Sequence, residues 1–138
     1  MSQENLEIVS AAIDAFNRRD FDAFSRLLAP DTELDWSRAV GPNRGVYTLD
    51  QVRAVWDDSM RTWESSRIEP HEFIEVGEHV AVPWTLRVTG RDGIEVRARV
   101  TWTFTIRDGA IQCICMYQER QEALEALELS EQDARADS

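Results

Sequence analysis

Hydrophobic residues recur every three or four positions near the start of the chain, which is the spacing of an amphipathic helix. This spacing predicts a helix over residues 4–18, with an apolar stripe formed by Leu6, Val9, Ile13 and Phe16. The segment FDAFSRLLAP predicts a second, short helix that ends at Pro30, because proline cannot donate the helical hydrogen bond. A strand is predicted at 32–37, followed by a loop.

A third helix is predicted near 49–63. Thr48 is a plausible N-cap, and Gln51 stands three residues later, as in a capping box. The apolar stripe of this helix consists of Val52, Val55, Trp56, Met60 and Trp63. Large aromatic and Met side chains in one row are typical either of core packing or of a pocket wall.

From residue 66 onward, hydrophobic and polar residues alternate, as in strands with one buried face. The segments RIEPHEFIEV, HVAVPWTLRVT, IEVRARVTWTFTI and AIQCICMYQE predict four consecutive antiparallel strands. An acidic helix is predicted at 119–129. Helices kept separate from a sheet indicate an α+β fold, in which we expect the helices to pack on the concave face of a curved antiparallel or mixed sheet.

The length of 138 residues fits one domain with a hydrophobic core of its own. We assign residues 1–129 to this domain and predict that residues 130–138 form a disordered tail. The cysteines, Cys113 and Cys115, share one face of a predicted strand and are expected to remain reduced thiols. Two histidines and two cysteines are too few for a usual zinc site, and no glycine-rich phosphate loop follows a strand, so no cofactor and no metal are expected.

The formal net charge is −11, and no cluster of Lys and Arg offsets it locally. Such a surface repels phosphate groups, so we expect no nucleic-acid partner and no membrane surface as partner. The polar, acidic N-terminus does not resemble a secretory signal, and no apolar run is long enough to span a membrane. The cytoplasm is therefore the expected location.

Two stretches carry a family resemblance: AFNRRDFDAFSRLLAPD near the start and RDGAI…YQERQEALEAL near the end. Together with the Gly-Pro loop and the Trp-rich helix, they resemble the SnoaL-like branch of the nuclear transport factor 2-like (ketosteroid isomerase-like) superfamily, over residues 3 to about 129. The resemblance implies a cone-shaped α+β fold with a pocket between sheet and helices. It does not imply one activity, because the superfamily includes isomerases, cyclases, hydrolases and non-catalytic modules.

The residues of the related isomerases do not carry over. By the resemblance, their general base falls on Trp36, with Asp35 one residue earlier and on the other face of the strand. Their oxyanion hole needs a tyrosine where this chain has Ala12, and a protonated acid where it has Trp102, or Thr101 if the register slips by one. Steroid isomerase chemistry is therefore not expected.

The related epoxide hydrolases place an aspartate on the last strand, where the resemblance points to Met116. Arg97 and Arg99 supply positive charge on the preceding strand, but alternation puts them on the face opposite Trp102. The acid–base carboxylate of the polyketide cyclases has no clear counterpart. The catalytic residues therefore stay unknown.

Alternation within the strands predicts one apolar pocket wall, consisting of Trp36, Trp56, Met60, Trp84, Trp102, Phe104 and Met116. Such a wall suits a small apolar or aromatic molecule, with Ser59 and Gln118 as hydrogen-bonding groups nearby. Three hypotheses stay open: a binding domain for such a compound, an acid–base enzyme (isomerase, polyketide cyclase-like or hydrolase) using a carboxylate such as Asp35 or Glu119, and a dimerisation module whose cone is filled.

The other face of the same strands carries Arg97, Arg99, Thr101 and Thr103. Members of the superfamily often dimerise through that side of the sheet, so the resemblance implies a homodimer through these residues. An ordinary solvated sheet face would also be rich in threonine.

Overall fold

A curved seven-stranded sheet is the framework of the computed structural model, which describes residues 2–39 and 44–136. The elements are α1 (Ser2–Asn17), α2 (Phe21–Ser25), β1 (Leu28–Trp36), β2 (Gly45–Thr48), α3 (Leu49–Thr62), β3 (Ser65–Pro70), β4 (Ile74–Val76), β5 (His79–Thr89), β6 (Glu95–Arg107), β7 (Ala110–Tyr117) and α4 (Arg120–Ala136). None of the helices in the described part of the chain is long and apolar enough to cross a membrane.

The strand order is β2-β1-β7-β6-β5-β3, with β4 pairing with β5 beside this path. Strand β1 runs parallel to β7, and all other pairs are antiparallel. The sheet is therefore mixed, and the predicted α+β fold is confirmed. The tight turn between β6 and β7 uses Asp108 and Gly109, both with positive φ, as a DG hairpin requires.

Local sequence signals explain where the first helices begin. The Asp20 side chain accepts a hydrogen bond from the Ala23 backbone N–H at 3.0 Å, which caps α2. At the start of α3, the Gln51 side chain accepts from the Thr48 backbone N–H at 2.9 Å, as the capping-box pattern predicted.

Several boundaries differ from the sequence prediction. Helix α2 ends at Ser25, not at Pro30, and β1 begins at Leu28, not at residue 32, because Leu28 pairs with Ile111 of β7. The short strand β2 was expected to be loop; it forms because it pairs with β1, so that Gly45 lies opposite Trp36. The strand predicted from residue 67 to 76 is divided after Pro70 into β3 and β4. Helix α4 continues to Ala136, whereas the sequence analysis ended it at residue 129 and predicted a disordered tail from there.

The main hydrophobic core lies between one sheet face and the helices α1–α3. Its fully buried members include Val9 of α1, Ile68 of β3, Val82 of β5, and Phe104 of β6. Strand alternation supplies one side of this core and the helical stripes supply the other. This arrangement determines which strand residues can line a site beneath the helices.

Helix α4 packs on the opposite face of the sheet, against β4–β7. Its buried residues Ala123 and Leu127 are not part of the main core, and the sheet residues buried on this side include Thr101 and Thr103. These two threonines are only 2% and 3% exposed. Thr101 and Thr103 are therefore inaccessible to a partner in this arrangement of the chain, whereas Arg97 and Arg99 of the predicted dimer face are exposed.

Candidate functional site

A cavity of about 320 Å³ opens between the core face of the sheet and the helices. Its wall is predominantly aromatic and aliphatic. The residues that line it are Phe16, Trp36, Ala39, Ser59, Thr62, Trp63, Ser66, Trp84, Leu86, Val88, Ala98, Val100, Trp102, Met116 and Gln118. The volume lies at the lower end of the roughly 300–1,000 Å³ typical of small-molecule pockets.

The structure brings four of the seven predicted pocket residues together in this wall, namely Trp36, Trp84, Trp102 and Met116. Trp56 and Met60 line a smaller neighbouring cavity of about 30 Å³, which shares Trp36 and Trp102 with the larger one.

Phe104 lines neither of these two cavities. It is completely buried, and its ring packs edge-on against Trp102 at a centroid distance of 5.9 Å. Alternation gives it the face of Trp102, but it lies where the core is closed rather than where the cavity opens.

Trp102 is the central side chain of the aromatic cluster. Its ring meets Trp84 edge-on at 4.8 Å, and it also contacts Phe16 at 6.0 Å and Trp36 at 6.4 Å between ring centroids. The pairs with Trp84 and Phe16 are edge-to-face, whereas the pair with Trp36 is tilted at 33°. Such contacts hold rings in fixed orientations. The wall is therefore a shaped aromatic surface rather than a loosely packed one.

The strand register explains how these residues meet. Trp102 of β6 lies opposite Val82 of β5 on one side and opposite Met116 of β7 on the other. In β1, Trp36 lines the cavity, whereas its neighbour Asp35 is aligned with Cys115 on the opposite face. The alternation therefore gave the correct face for both residues.

Asp35 belongs to a polar cluster on the far side of the sheet. Its partial burial disfavours the charged form, but hydrogen bonds from Ser37 outweigh this effect. The Ser37 hydroxyl donates at 2.6 Å and the Ser37 backbone N–H at 3.1 Å. Weaker contributions come from the thiol of Cys115 at 3.6 Å and the Arg38 guanidinium at 3.8 Å. Together these contacts hold the pKa of Asp35 below its ordinary value, so it is a carboxylate at neutral pH.

The polar cluster also includes Arg38, Tyr117, Cys113 and Cys115, whose contacts are with other residues of the same chain. The Arg38 guanidinium lies over the Tyr117 ring at 4.6 Å, and burial raises the pKa of Tyr117 to about 12. Cys113 and Cys115 are free thiols, as predicted. A hydrogen bond to Cys115 and, to a smaller extent, burial raise the pKa of Cys113. This thiol is therefore protonated and unreactive at neutral pH.

No Asp, Glu, His, Lys or Arg side chain lines the cavity of about 320 Å³ within the described ranges. The polar side chains in its wall are those of Ser59, Thr62, Ser66 and Gln118. Gln118 donates a hydrogen bond to the Arg38 carbonyl oxygen at 2.9 Å. The described wall thus provides hydrogen-bonding groups, but no side chain that titrates near neutral pH and could act as a general base.

Three buried N–H groups in this wall have no acceptor among the described residues. They are the indole N–H groups of Trp36, Trp84 and Trp102. Trp84 and Trp102 are only 2% and 3% exposed. A buried donor without a partner costs about 1–3 kcal/mol, so three in one aromatic cluster are a notable feature of the site.

Sequence reasoning missed several wall residues. Ala98 and Val100 share the alternation of Trp102, which could have identified them, but small side chains carry no chemical signal. Phe16 and Trp63 were named only as members of helical stripes, and both line the cavity. Only the distance between the helices and the sheet determines which stripe residues border open space.

A curved mixed sheet that encloses a cavity with three helices defines a protein of the nuclear transport factor 2-like class. The sequence profile of the SnoaL-like domain family matches residues 9–114, so the chain belongs to this family. No curated protein sequence matches it.

Solved structures agree with this assignment. TerC co-crystallised with polyporic acid is 23% identical, with a TM-score of 0.75 over 91% of this chain and 98% of that one. An NTF2-like protein of unknown function from Burkholderia pseudomallei is 26% identical, with a TM-score of 0.71 over 88% and 95%. A polyketide cyclase, so named provisionally, from Sinorhizobium meliloti is 26% identical, with a TM-score of 0.63 over 80% and 93%.

Proposed function

We propose that this SnoaL-like domain binds a flat apolar or aromatic small molecule in its tryptophan-lined cavity. The observation that carries the proposal is the wall itself: Trp36, Trp84, Trp102 and Met116 face one cavity of about 320 Å³. Aromatic rings and a thioether offer broad contact with few directional demands. The similar TerC was co-crystallised with polyporic acid, which supports a ligand at this fold.

An acid–base enzyme of the same fold, such as an isomerase, a polyketide cyclase-like enzyme or a hydrolase, is the second candidate. The similarity to the cyclase-like protein of Sinorhizobium meliloti favours it. Two carboxylates were considered for this chemistry. Asp35 is bonded to Ser37 and Cys115 on the face opposite the cavity, and Glu119 lines a different cavity rather than the tryptophan-lined one. Binding without proton transfer therefore has more support from the described residues.

The binding proposal is tested with 2-ethylnaphthalene, a two-ring hydrocarbon, titrated into the purified protein while the five indole N–H signals are followed by ¹H–¹⁵N NMR. We expect saturable shifts at Trp36, Trp84 and Trp102. The variant Ala98→Phe places a ring in the cavity and should abolish them, because Ala98 lines the wall.

The matched control is Arg97→Phe, which adds the same ring to the same strand on its opposite face and should leave binding intact. Absence of saturable shifts in the wild-type protein would refute the binding proposal. Equal binding by the two Phe variants would show that the ligand lies elsewhere.

We also propose a homodimer, now through the exposed end of β6 rather than through Thr101 and Thr103. Arg97 is exposed there, and Ile94 and Val96 are 62% and 45% exposed, which is unusual for large apolar residues. Light scattering of the wild type and of Ile94→Glu tests this: a dimer that becomes monomeric supports it, and a wild-type monomer contradicts it. The cytoplasmic location stays a proposal that cell fractionation would test.

A further inference from the structure

We propose that the bound molecule carries a hydrogen-bond acceptor, a carbonyl or similar oxygen, which at least one of the indole N–H groups of Trp36, Trp84 and Trp102 recognises. The inference rests on the proposed binding function and names the class of ligand for the same cavity. Its basis is that all three donors are buried, lack an acceptor among the described residues, and belong to side chains lining one cavity.

The energetic asymmetry of hydrogen bonding supports this assignment. A donor that is buried without an acceptor has lost its hydrogen bonds to water. When a ligand supplies the acceptor, this loss is recovered, so the free energy gained on binding exceeds that of an ordinary exposed hydrogen bond. A hydrocarbon of the same shape gains the apolar contact but leaves the donors unpaired. The cavity should therefore distinguish a ketone from its hydrocarbon counterpart.

The chemistry of the indole group determines the direction of this preference. Its N–H donates and cannot accept, so it favours ligand oxygens over ligand ammonium or amide N–H groups. Phenylalanine side chains would supply the same aromatic surface without a donor. With no charged side chain in the described wall, a neutral oxygen acceptor fits better than a carboxylate.

The packing of the aromatic rings determines how a ligand oxygen would reach one of the indole N–H groups. The three nitrogens are buried by neighbouring atoms, and Trp102 touches Trp36 at 6.4 Å and Trp84 at 4.8 Å between centroids. A ligand oxygen would reach an N–H by replacing one of these ring contacts. Since Trp36 is more exposed than Trp84 and Trp102, it is the side chain that can move most easily.

The test compares 2-acetylnaphthalene with 2-ethylnaphthalene, which differ mainly by a carbonyl in place of a methylene. We expect the ketone to bind about tenfold more tightly or better, because the gain should exceed the roughly three- to tenfold of one ordinary neutral hydrogen bond. The proton signal of the indole that donates should move downfield with the ketone and not with the hydrocarbon.

Three single variants, Trp36→Phe, Trp84→Phe and Trp102→Phe, remove one donor each while keeping an aromatic ring. At least one should lower the preference for the ketone to below about twofold with little effect on the hydrocarbon. Trp63→Phe is the matched control, because Trp63 lines the same cavity but its nitrogen is not among the buried unpartnered ones.

The outcomes separate the two proposals. Tighter ketone binding with a downfield indole shift supports the inference, even where a variant fails to fold. Equal binding of both compounds without such a shift overturns the inference and leaves the binding function standing. Binding of neither compound refutes the proposed function and the inference together.

Discussion

The two faces of the sheet are formed by the same strands, but they differ in whether their polar groups have hydrogen-bond partners. On the far face, Asp35 accepts two hydrogen bonds from Ser37, and Arg38 lies over the ring of Tyr117. On the cavity face, the buried indole N–H groups of Trp84 and Trp102 find no acceptor in the described part of the chain.

This difference shows on which face the polar groups find their hydrogen-bond partners within the chain itself. The far face has its own covering element, α4, and its polar groups stabilise the folded protein. On the cavity face the aromatic rings contact one another, but buried indole N–H groups have no acceptor among the described residues. Unsatisfied buried polar groups are uncommon in folded proteins, and each needs an explanation. The ligand proposed above would supply the missing acceptor on the cavity face.

The largest expected effect is that of Trp102→Ala. Trp102 is 3% exposed and touches four other aromatic rings, so its removal should lower the free energy of unfolding by about 3–5 kcal/mol. Chemical denaturation followed by circular dichroism measures this. Trp63 lies in a less buried part of the wall, so Trp63→Ala should lower the free energy of unfolding clearly less. Similar losses for both variants would contradict the central role of Trp102.

The second prediction addresses the far face. Leu127 of α4 is 5% exposed and Leu129 is 60% exposed. Leu127→Ala should therefore cost about 2–3 kcal/mol of unfolding free energy, whereas Leu129→Ala should change it by less than about 0.5 kcal/mol. If the two substitutions had equal effects, α4 would not pack on the sheet as described. Binding of 2-ethylnaphthalene by the folded Leu127→Ala protein should be retained.

The smallest expected effect is that of Asp35→Asn. The pKa of Asp35 is lowered from 3.8 in the folded protein, so its charged form stabilises the fold above about pH 4, and this contribution is lost as the pH falls through the folded-state pKa. At pH 7 the substitution should cost about 1 kcal/mol of unfolding free energy.

The pH dependence makes this prediction specific. The difference between wild type and Asp35→Asn should shrink as the pH falls below 4, because the wild-type carboxylate is then also neutral. Asp14→Asn is the control: Asp14 forms an exposed ion pair with Arg18 at 2.9 Å, and its removal should have an effect close to zero. A loss of ligand binding in Asp35→Asn would contradict its placement away from the cavity.

Alternation and helical spacing were sufficient for most of the fold. They gave α1 and α3, the strands β5, β6 and β7, and the orientation of Trp36 relative to Asp35. They could not give β2, because a four-residue strand carries too little pattern and exists only through its pairing with β1. They also could not show that Thr101 is buried on the face where α4 packs, since burial by a distant element leaves no local signal.

The sequence by itself determined which side chains share a face, because the two-residue period of a strand depends only on its backbone geometry. It thereby placed Trp84, Trp102 and Phe104 on one side of the sheet. Only the tertiary structure decided that Trp84 and Trp102 border open space while Phe104 is sealed in the core. A cavity is set by the distance between packed elements, and that distance follows from how helices and a curved sheet fit together.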